Sequence, residues 1–457
     1  MLELKLQRVL TEILSENFTE EIFNGVSYED WNALFNFSRK HNLHIIVYTL
    51  LRKNKITVPD DISAEMKKIY HAACAGDFRR KEQLKEIIRI FNENSIEHIV
   101  LKGAHLVNSV YESSFTRLTA DIDILVKNET SAKAYKLLAE NGYENFVLST
   151  DECEKYKRGF GQHYPPLHKA GCLPVELHTH LAFVCDVNLN GIRERSKVLN
   201  IDGLQSGMMA PEDLIMHISM HKFLQDKALN GLLGLYDIAK VIKNTAINWN
   251  TLKKLTSKGE YNNTKSLYVA LLFCKKLMKT DINEEFLNSI KPASYTDKME
   301  KLFTRLIFNN FSSFDKDAFS FGINMYYSKY NGSTVLKRLF VSPSKMVLYG
   351  KLKYDRGSLD FKNLSVLYTK RAITLAKRYG FVFIKHLFPK KDDNDSIKLG
   401  RMSAEFAYWL QGGLDYKNTF ALKWKKRLNP SDVNKKTYTN KRSAIDNAAI
   451  DFESDIS

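Results

Sequence analysis

Two aspartates one residue apart, Asp121 and Asp123, open an otherwise apolar run, Asp121-Ile122-Asp123-Ile124-Leu125-Val126. In a strand alternate side chains share a face, so this spacing projects both carboxylates together and turns Ile122 and Ile124 the other way. Adjacent carboxylates repel one another, and a divalent cation or a firm basic partner relieves that repulsion best. Lys102 follows an earlier apolar run, Ile99-Val100-Leu101, and Arg117 precedes Asp121 by four residues. Gly103 would let the backbone approach an anion without a Cβ in the way, and amides at the start of the following helix can bind its oxygens. A further run, Pro174-Val175-Glu176-Leu177-His178-Thr179-His180-Leu181, places Glu176, His178 and His180 on one strand face. Each feature also has a plain structural reading. The aspartates can be a solvated strand edge or a helix cap, Glu176 a chance surface acid, and Lys102 or Arg117 a structural partner of Asp121.

These residues, taken in order, resemble a known family. Leu101-Lys102-Gly103-Ala104, a later tyrosine, and Arg117 followed by Asp121-Ile122-Asp123-Ile124-Leu125-Val126 look like the core of the uncharacterised nucleotidyltransferase-like family within the DNA polymerase β superfamily. Gly142-Tyr143, Val175 to His178, Pro211 to His221, and Tyr236-Asp237-Ile238 continue the likeness, which spans roughly residues 90 to 245. The resemblance implies a polymerase β-like core and transfer of a nucleoside monophosphate from a nucleoside triphosphate to a hydroxyl acceptor, by a two-metal mechanism with Mg²⁺ or Mn²⁺. On that basis Asp121, Asp123 and Glu176 are the catalytic and metal-binding candidates, Glu176 standing for the superfamily's third carboxylate. Lys102, Gly103 and Arg117 are the triphosphate-binding candidates, and His178, His221 and Asp237 are candidates to face substrate. The chain departs from the superfamily in carrying Gly103-Ala104 where Gly-Ser or Gly-Gly is usual. The interval from Gly103 to Asp121 is also longer than in the antibiotic-modifying relatives, so their substrate preferences do not transfer.

Other chemistries fit less well. The sequence has no G-x-x-x-x-G-K-[ST], no G-x-G-x-x-G after a strand and no G-x-S-x-G elbow. His217 and His221 have i, i+4 spacing but lack the glutamate of H-E-x-x-H, so zinc proteolysis is not expected, and His178 and His180 have no third zinc ligand evident from spacing.

The chain has 68 Lys and Arg against 52 Asp and Glu, a net charge of +16. That excess favours polyanionic partners such as nucleotides or RNA, although a Lys- and Asn-rich composition can also come from a biased genome. Five scattered cysteines without C-x-x-C spacing point to a reducing compartment. The charged beginning Met1 to Arg8 has no apolar signal core, and no stretch approaches the roughly 18 apolar residues of a membrane span. A cytoplasmic protein without integral membrane association is expected.

The elements that must position the site follow from periodicity. Residues 1–94 read as an N-terminal helical region, with an apolar stripe at Leu2, Leu4, Leu10, Ile13 and Leu14 and a long helix from about Ser63 to Asn92. Residues 95–185 alternate strands and helices: strands at Ile99–Leu101, Ile122–Val126, Tyr143–Leu148 and Leu173–Leu181, helices at Ala104–Tyr111 and Ser131–Asn141. This is the small mixed-sheet α/β core. Residues 186–311 return to helix, opened by Pro211-Glu212-Asp213 with proline in the first turn and acids at the positive helix end. Residues 312–427 form a basic, mainly helical region with a long helix over Leu364–Phe388 and a break at Pro389 to Asp393, and 428–457 a disordered tail. The expected class is α/β plus α.

Two competing functions remain on the sequence alone. The core could be catalytically silent and bind nucleotide or RNA, a reading favoured by the missing Gly-Ser hydroxyl and the basic C-terminal third. Tyr368 to Phe388, with its Lys and Arg residues, also suggests a membrane-peripheral accessory role. The acceptor, whether RNA, protein or small molecule, has no readable motif.

Overall fold

Leu84, Ile87, Ile88 and Phe91 recur at helical spacing and are all fully buried. They anchor one end of a 34-residue helix, Asp60–Glu93, from which the chain turns directly into the first strand. Burying each such side chain is worth about 2 kcal/mol. The computed structural model describes residues 4–145, 163–181, 187–226, 228–229, 231–258, 260–309 and, beyond them, 318–320, 322–323, 326, 346, 364–376 and 391–410.

The helices before the sheet are α1 (Leu4–Leu14), α2 (Tyr28–Lys40), α3 (His44–Lys53) and α4 (Asp60–Glu93). Ser27 caps α2, accepting from the Asp30 amide while the Asp30 side chain accepts from the Ser27 amide. Strand β1 (His98–Val100) leads into α5 (Lys102–Ser109), and β2 (Ile122–Val126) into α6 (Asn128–Glu140). Strand β3 (Val175–His178), α7 (Leu189–Arg195), β4 (Lys197–Ile201) and β5 (Leu204–Met208) complete the α/β part. The helical part holds α8 (Pro211–Ser219), a π-helical turn at Met220–Gln225, α9 (Gly231–Asn244), α10 (Trp249–Leu255), α11 (Thr264–Met278), α12 (Glu284–Ser289) and α13 (Asp297–Ile307).

The five strands lie in the order β3-β2-β1-β5-β4. β2 runs antiparallel to β1 and parallel to β3, while β5 runs parallel to β1 and antiparallel to β4. The sheet is therefore mixed, as expected for the class. Every residue of β1 and β2 is buried, so β2 is an interior strand whose two faces are both covered.

Two strands depart from the sequence expectation. β3 is confined to Val175–His178 rather than running to Leu181. At Tyr143–Leu148 the described part shows a single bridge between Glu144 and His168, and residues 146–148 lie outside the described residues. The β4–β5 hairpin was not anticipated: it turns at Asp202-Gly203, both with positive φ, and inserts β5 beside β1.

The chain divides into two compact units, Met1–Glu144 with Pro166–Asn310, and Asn145–Pro165 with Phe311–Ser457. In the first unit α1 packs against α3 and α11, and Glu16 just after it receives the Tyr236 hydroxyl at 2.5 Å and Lys240 Nζ at 3.1 Å, tying the N-terminal helices to α9. In the second unit the described elements are α14 (Leu364–Leu375) and α15 (Lys391–Leu410), the latter starting within the expected break at Pro389 to Asp393. There Gly400 and Gly322 allow α15 and the segment around Phe319 into backbone contact. The rest of the expected Leu364–Phe388 helix and the whole 428–457 tail lie outside the described residues. Among the described residues no helix is long and apolar enough to cross a membrane.

Candidate active site

The site is built on three adjoining backbone segments. Parallel pairing of β2 with β3 sets Asp123 opposite Glu176, and strand alternation brings His178, two residues on, to the same face. β1 ends beside β2, where the Leu101 amide donates to the Asp123 carbonyl at 3.0 Å, and Lys102 then begins α5. Lys102 has φ +42°, a left-handed conformation rare for a residue with a side chain. From there its Nζ donates to Asp123 Oδ1 at 2.7 Å.

His178 Nε2 lies 2.7 Å from the same Asp123 oxygen and 3.3 Å from Glu176 Oε2. Asp123 is 1% exposed, and its second oxygen, Oδ2, is buried with no hydrogen-bond partner. Asp121 stands one residue before β2 and is half-buried.

The charges are strongly interdependent. Burial pushes the Asp121 carboxyl up, and the neighbouring Asp123 charge pushes it further, to about 6, against the opposing pull of Lys102. Burial acts the same way on Asp123, but the Lys102 ammonium and the His178 hydrogen bond outweigh it and hold that carboxyl well below the usual range. Burial would discharge Lys102, yet Asp123, Glu176 and Asp121 keep it protonated. His178 is raised: burial and Lys102 work against its charge, and its bonds to Asp123 and Glu176 prevail.

The other predicted site residues are distributed as follows. Arg117 points at Asp237, with Nη2 3.0 Å from Oδ2 and Nε 3.3 Å from Oδ1, and its Nη1 donates to the Leu118 carbonyl at 2.9 Å. Asp237, 1% exposed, also accepts from the Tyr111 hydroxyl at 2.7 Å. A Cβ on Gly103 would lie 2.6 Å from Arg117 Nη1 and 2.5 Å from Thr119 Cγ2, so the space beside this glycine is taken by Arg117 and Thr119. His221 sits in the π-helical turn with Nδ1 3.5 Å from Asp226 Oδ2, an oxygen that also accepts from Lys222 at 2.9 Å. His180 lies past the end of β3, beside Thr179 Oγ1 at 3.1 Å, so the strand alternation that groups Glu176 with His178 does not extend to it.

The sequence makes His178 a candidate to face substrate on the strand face of Glu176, and the structure adds its contacts to the Asp123 and Glu176 carboxylates. His217, for which the sequence favours a structural or substrate-facing role over zinc, is buried, with Nε2 unpartnered. Burial depresses its pKa, and the charges of His221, Lys102, His178 and Asp123 act on it as well. The signal for His217 is its i, i+4 spacing to His221, a pair that runs from α8 into the π-helical turn, a feature that recurs at functional sites.

The donor set fits a divalent cation. Asp123, Glu176 and His178 each offer one ligand atom, and these atoms all lie within 4.8 Å of one another; among the described residues Asp121 is outside this group. The orphaned Asp123 Oδ2 is a buried anionic acceptor that the protein itself leaves unsatisfied.

No curated protein matches the sequence. Among solved structures, the crystal structure of an antigenic nucleotidyltransferase-like protein from Paracoccidioides brasiliensis aligns at 16% identity and a TM-score of 0.30, covering 44% of this chain and 93% of that one. A likeness at that level carries no weight for function. The profile of the family described as uncharacterised nucleotidyltransferase matches residues 27–279, more than half of the 457 residues and the whole of the sheet. With its small mixed sheet set among helices and its acidic centre on β2 and β3, the chain belongs to this uncharacterised nucleotidyltransferase family.

Proposed function

We propose that the protein transfers a nucleoside monophosphate from a nucleoside triphosphate to a hydroxyl acceptor. The observation that carries this reading is the convergence of Asp123, Glu176 and His178, whose ligand atoms lie within 4.8 Å of one another, with Asp123 Oδ2 buried and unpartnered, in a chain of nucleotidyltransferase family. A divalent ion held there, Mg²⁺ or Mn²⁺, would supply charge neutralisation for the phosphates, and the two-ion form of the chemistry would draw on Asp121 as well. Lys102 offers a fixed ammonium for the charge that develops on the transferring phosphoryl group. Asp121 is then a second metal-holding carboxylate, and the rise of its carboxyl to about 6 belongs to the ion-free site, where burial and the Asp123 charge are not offset by a cation. Arg117 supports the site from behind, through Asp237 and against Gly103, and its reach to a triphosphate would require release from that pair.

The test is transfer of α-phosphate label from ATP, CTP, GTP and UTP into a cell extract with Mg²⁺ or Mn²⁺, comparing the native chain with Asp123→Asn. Label on one class of molecule with the native chain, reduced by about 10³-fold in a folded Asp123→Asn variant, is the expected outcome. Equal labelling by the two would falsify the assignment of Asp123. No labelling by the folded native chain would favour a catalytically silent nucleotide- or RNA-binding protein.

A further inference from the structure

We infer that His178 is a metal ligand through Nε2, and that this nitrogen makes the centre selective for Mn²⁺ over Mg²⁺. The inference rests on the proposed metal-dependent transfer and adds the ligand that decides which ion is held. Its first support is placement: Nε2 stands between the two carboxylates, 2.7 Å from Asp123 Oδ1 and 3.3 Å from Glu176 Oε2. All three donor atoms fall within the span of a single coordination sphere.

The second support is how the position is enforced. His178 is 2% exposed, on the last residue of β3, and the parallel register that aligns Glu176 with Asp123 also sets the ring beside them. The third is the unpartnered Asp123 Oδ2, which the Lys102 ammonium on Oδ1 leaves unsatisfied. An ion bound there takes the place of the Nε2 proton, which leaves to solvent, so Nε2 turns from donor to Asp123 into ligand.

Ligand chemistry then discriminates between ions. Mg²⁺ is a hard cation that takes oxygen ligands, parts reluctantly with its water and demands near-ideal octahedral geometry. Imidazole suits softer first-row ions, whereas carboxylate, carbonyl and water ligands suit Mg²⁺ and Mn²⁺ alike. Two carboxylates with one imidazole, and phosphate or water oxygens completing the sphere, form a set whose oxygens suit both ions and whose one nitrogen is unfavourable to Mg²⁺ and acceptable to the first-row ion Mn²⁺, so the nitrogen is what separates them. No cysteine stands in the group, so the thiolate sites characteristic of structural zinc do not apply.

The experiment uses the full chain and Mn²⁺ itself. Mn²⁺ binding is titrated by electron paramagnetic resonance, Mg²⁺ is titrated as a competitor, and pulsed measurements record nitrogen hyperfine coupling to the bound ion. The native chain is expected to show one imidazole nitrogen coupled to Mn²⁺. His178→Gln, which offers an amide oxygen near the position of Nε2 without adding charge, should erase the coupling and lower Mn²⁺ affinity at least about tenfold while changing Mg²⁺ affinity less than about threefold. Bound Mn²⁺ without nitrogen coupling in the native chain overturns the inference and leaves the metal centre standing. So does a folded His178→Gln variant that keeps the Mn²⁺ preference. Absence of ion binding by native chain and Asp123→Asn alike overturns the metal centre and the inference together. The nitrogen coupling of the native chain decides the question even where the variant fails to fold.

Discussion

At the scale of single residues, Asp121 and Asp123 have the same side chain and opposite fates. Asp123 has Lys102 and His178 on one oxygen and stays ionised, whereas Asp121 has burial and the Asp123 charge to contend with and is lifted to about 6. A folded pKa above the unfolded value of about 3.9 means that the protonated form is preferred by the native state. The corresponding stability is fully present below about pH 4 and is lost as pH rises through about 6, a loss of roughly 2–3 kcal/mol. Asp123 acts in the opposite direction, but its contribution is lost only as pH falls below the unfolded value, outside this window. Asp121→Asn should therefore be more stable than the native chain at pH 7.5 in the absence of metal and nearly equal to it at pH 4. Denaturant titrations of both proteins across that range would show the difference opening between pH 4 and 6. Parallel stability curves would mean that Asp121 titrates normally.

At the scale of elements, the site depends on the join between α9 and the segment leading into β2, where Arg117 and Tyr111 meet Asp237. Both charges are largely buried, with side-chain exposures of 11% and 1%, so removing either one strands the other. Asp237→Leu should cost about 3–5 kcal/mol, and Arg117→Met a similar amount. The double variant Arg117→Met/Asp237→Leu should cost clearly less than the sum, because neither charge is left alone. Strict additivity of the three unfolding free energies would show that the pair is not coupled. These partners are 120 residues apart, and Asp123 and His178 are 55 apart. That separation explains what the sequence could and could not reveal. Local patterns made β1, β2 and α8 legible, since apolar runs and helix-opening residues mark them directly. The aspartate pair was legible for the same reason. The partner of each charged group was not, because strand order and helix docking choose it. The hairpin of β4 and β5 did carry a local mark, the Asp202-Gly203 turn, but Leu204–Met208 has no clean apolar alternation. Its reason for a glycine at 207 lies across the sheet: a Cβ there would come within 2.7 Å of the His98 carbonyl oxygen on β1.

At the scale of the whole molecule the net charge is unevenly placed along the chain. Residues 311–457 hold 27 of the 68 Lys and Arg but only 14 of the 52 Asp and Glu, so they carry most of the +16. The first 310 residues, which contain the sheet and the acidic centre, are close to neutral. Under the proposed transfer reaction, attraction for a polyanionic acceptor would have to come from outside the acidic centre, and the C-terminal part is the basic stretch that would supply it. Lys423, Lys425, Lys426 and Arg427 form its densest cluster. If the acceptor is RNA, affinity for a single-stranded oligonucleotide should fall steeply with salt, each phosphate contact adding about 0.7 to the logarithmic slope. Replacing the four residues with glutamine should flatten that slope by about 2–3 and weaken binding at low salt, with nucleoside triphosphate binding unchanged. Fluorescence anisotropy between 50 and 200 mM salt measures both quantities. An unchanged slope would detach the cluster from acceptor binding. A lost triphosphate affinity would mean that the basic residues serve the nucleotide itself.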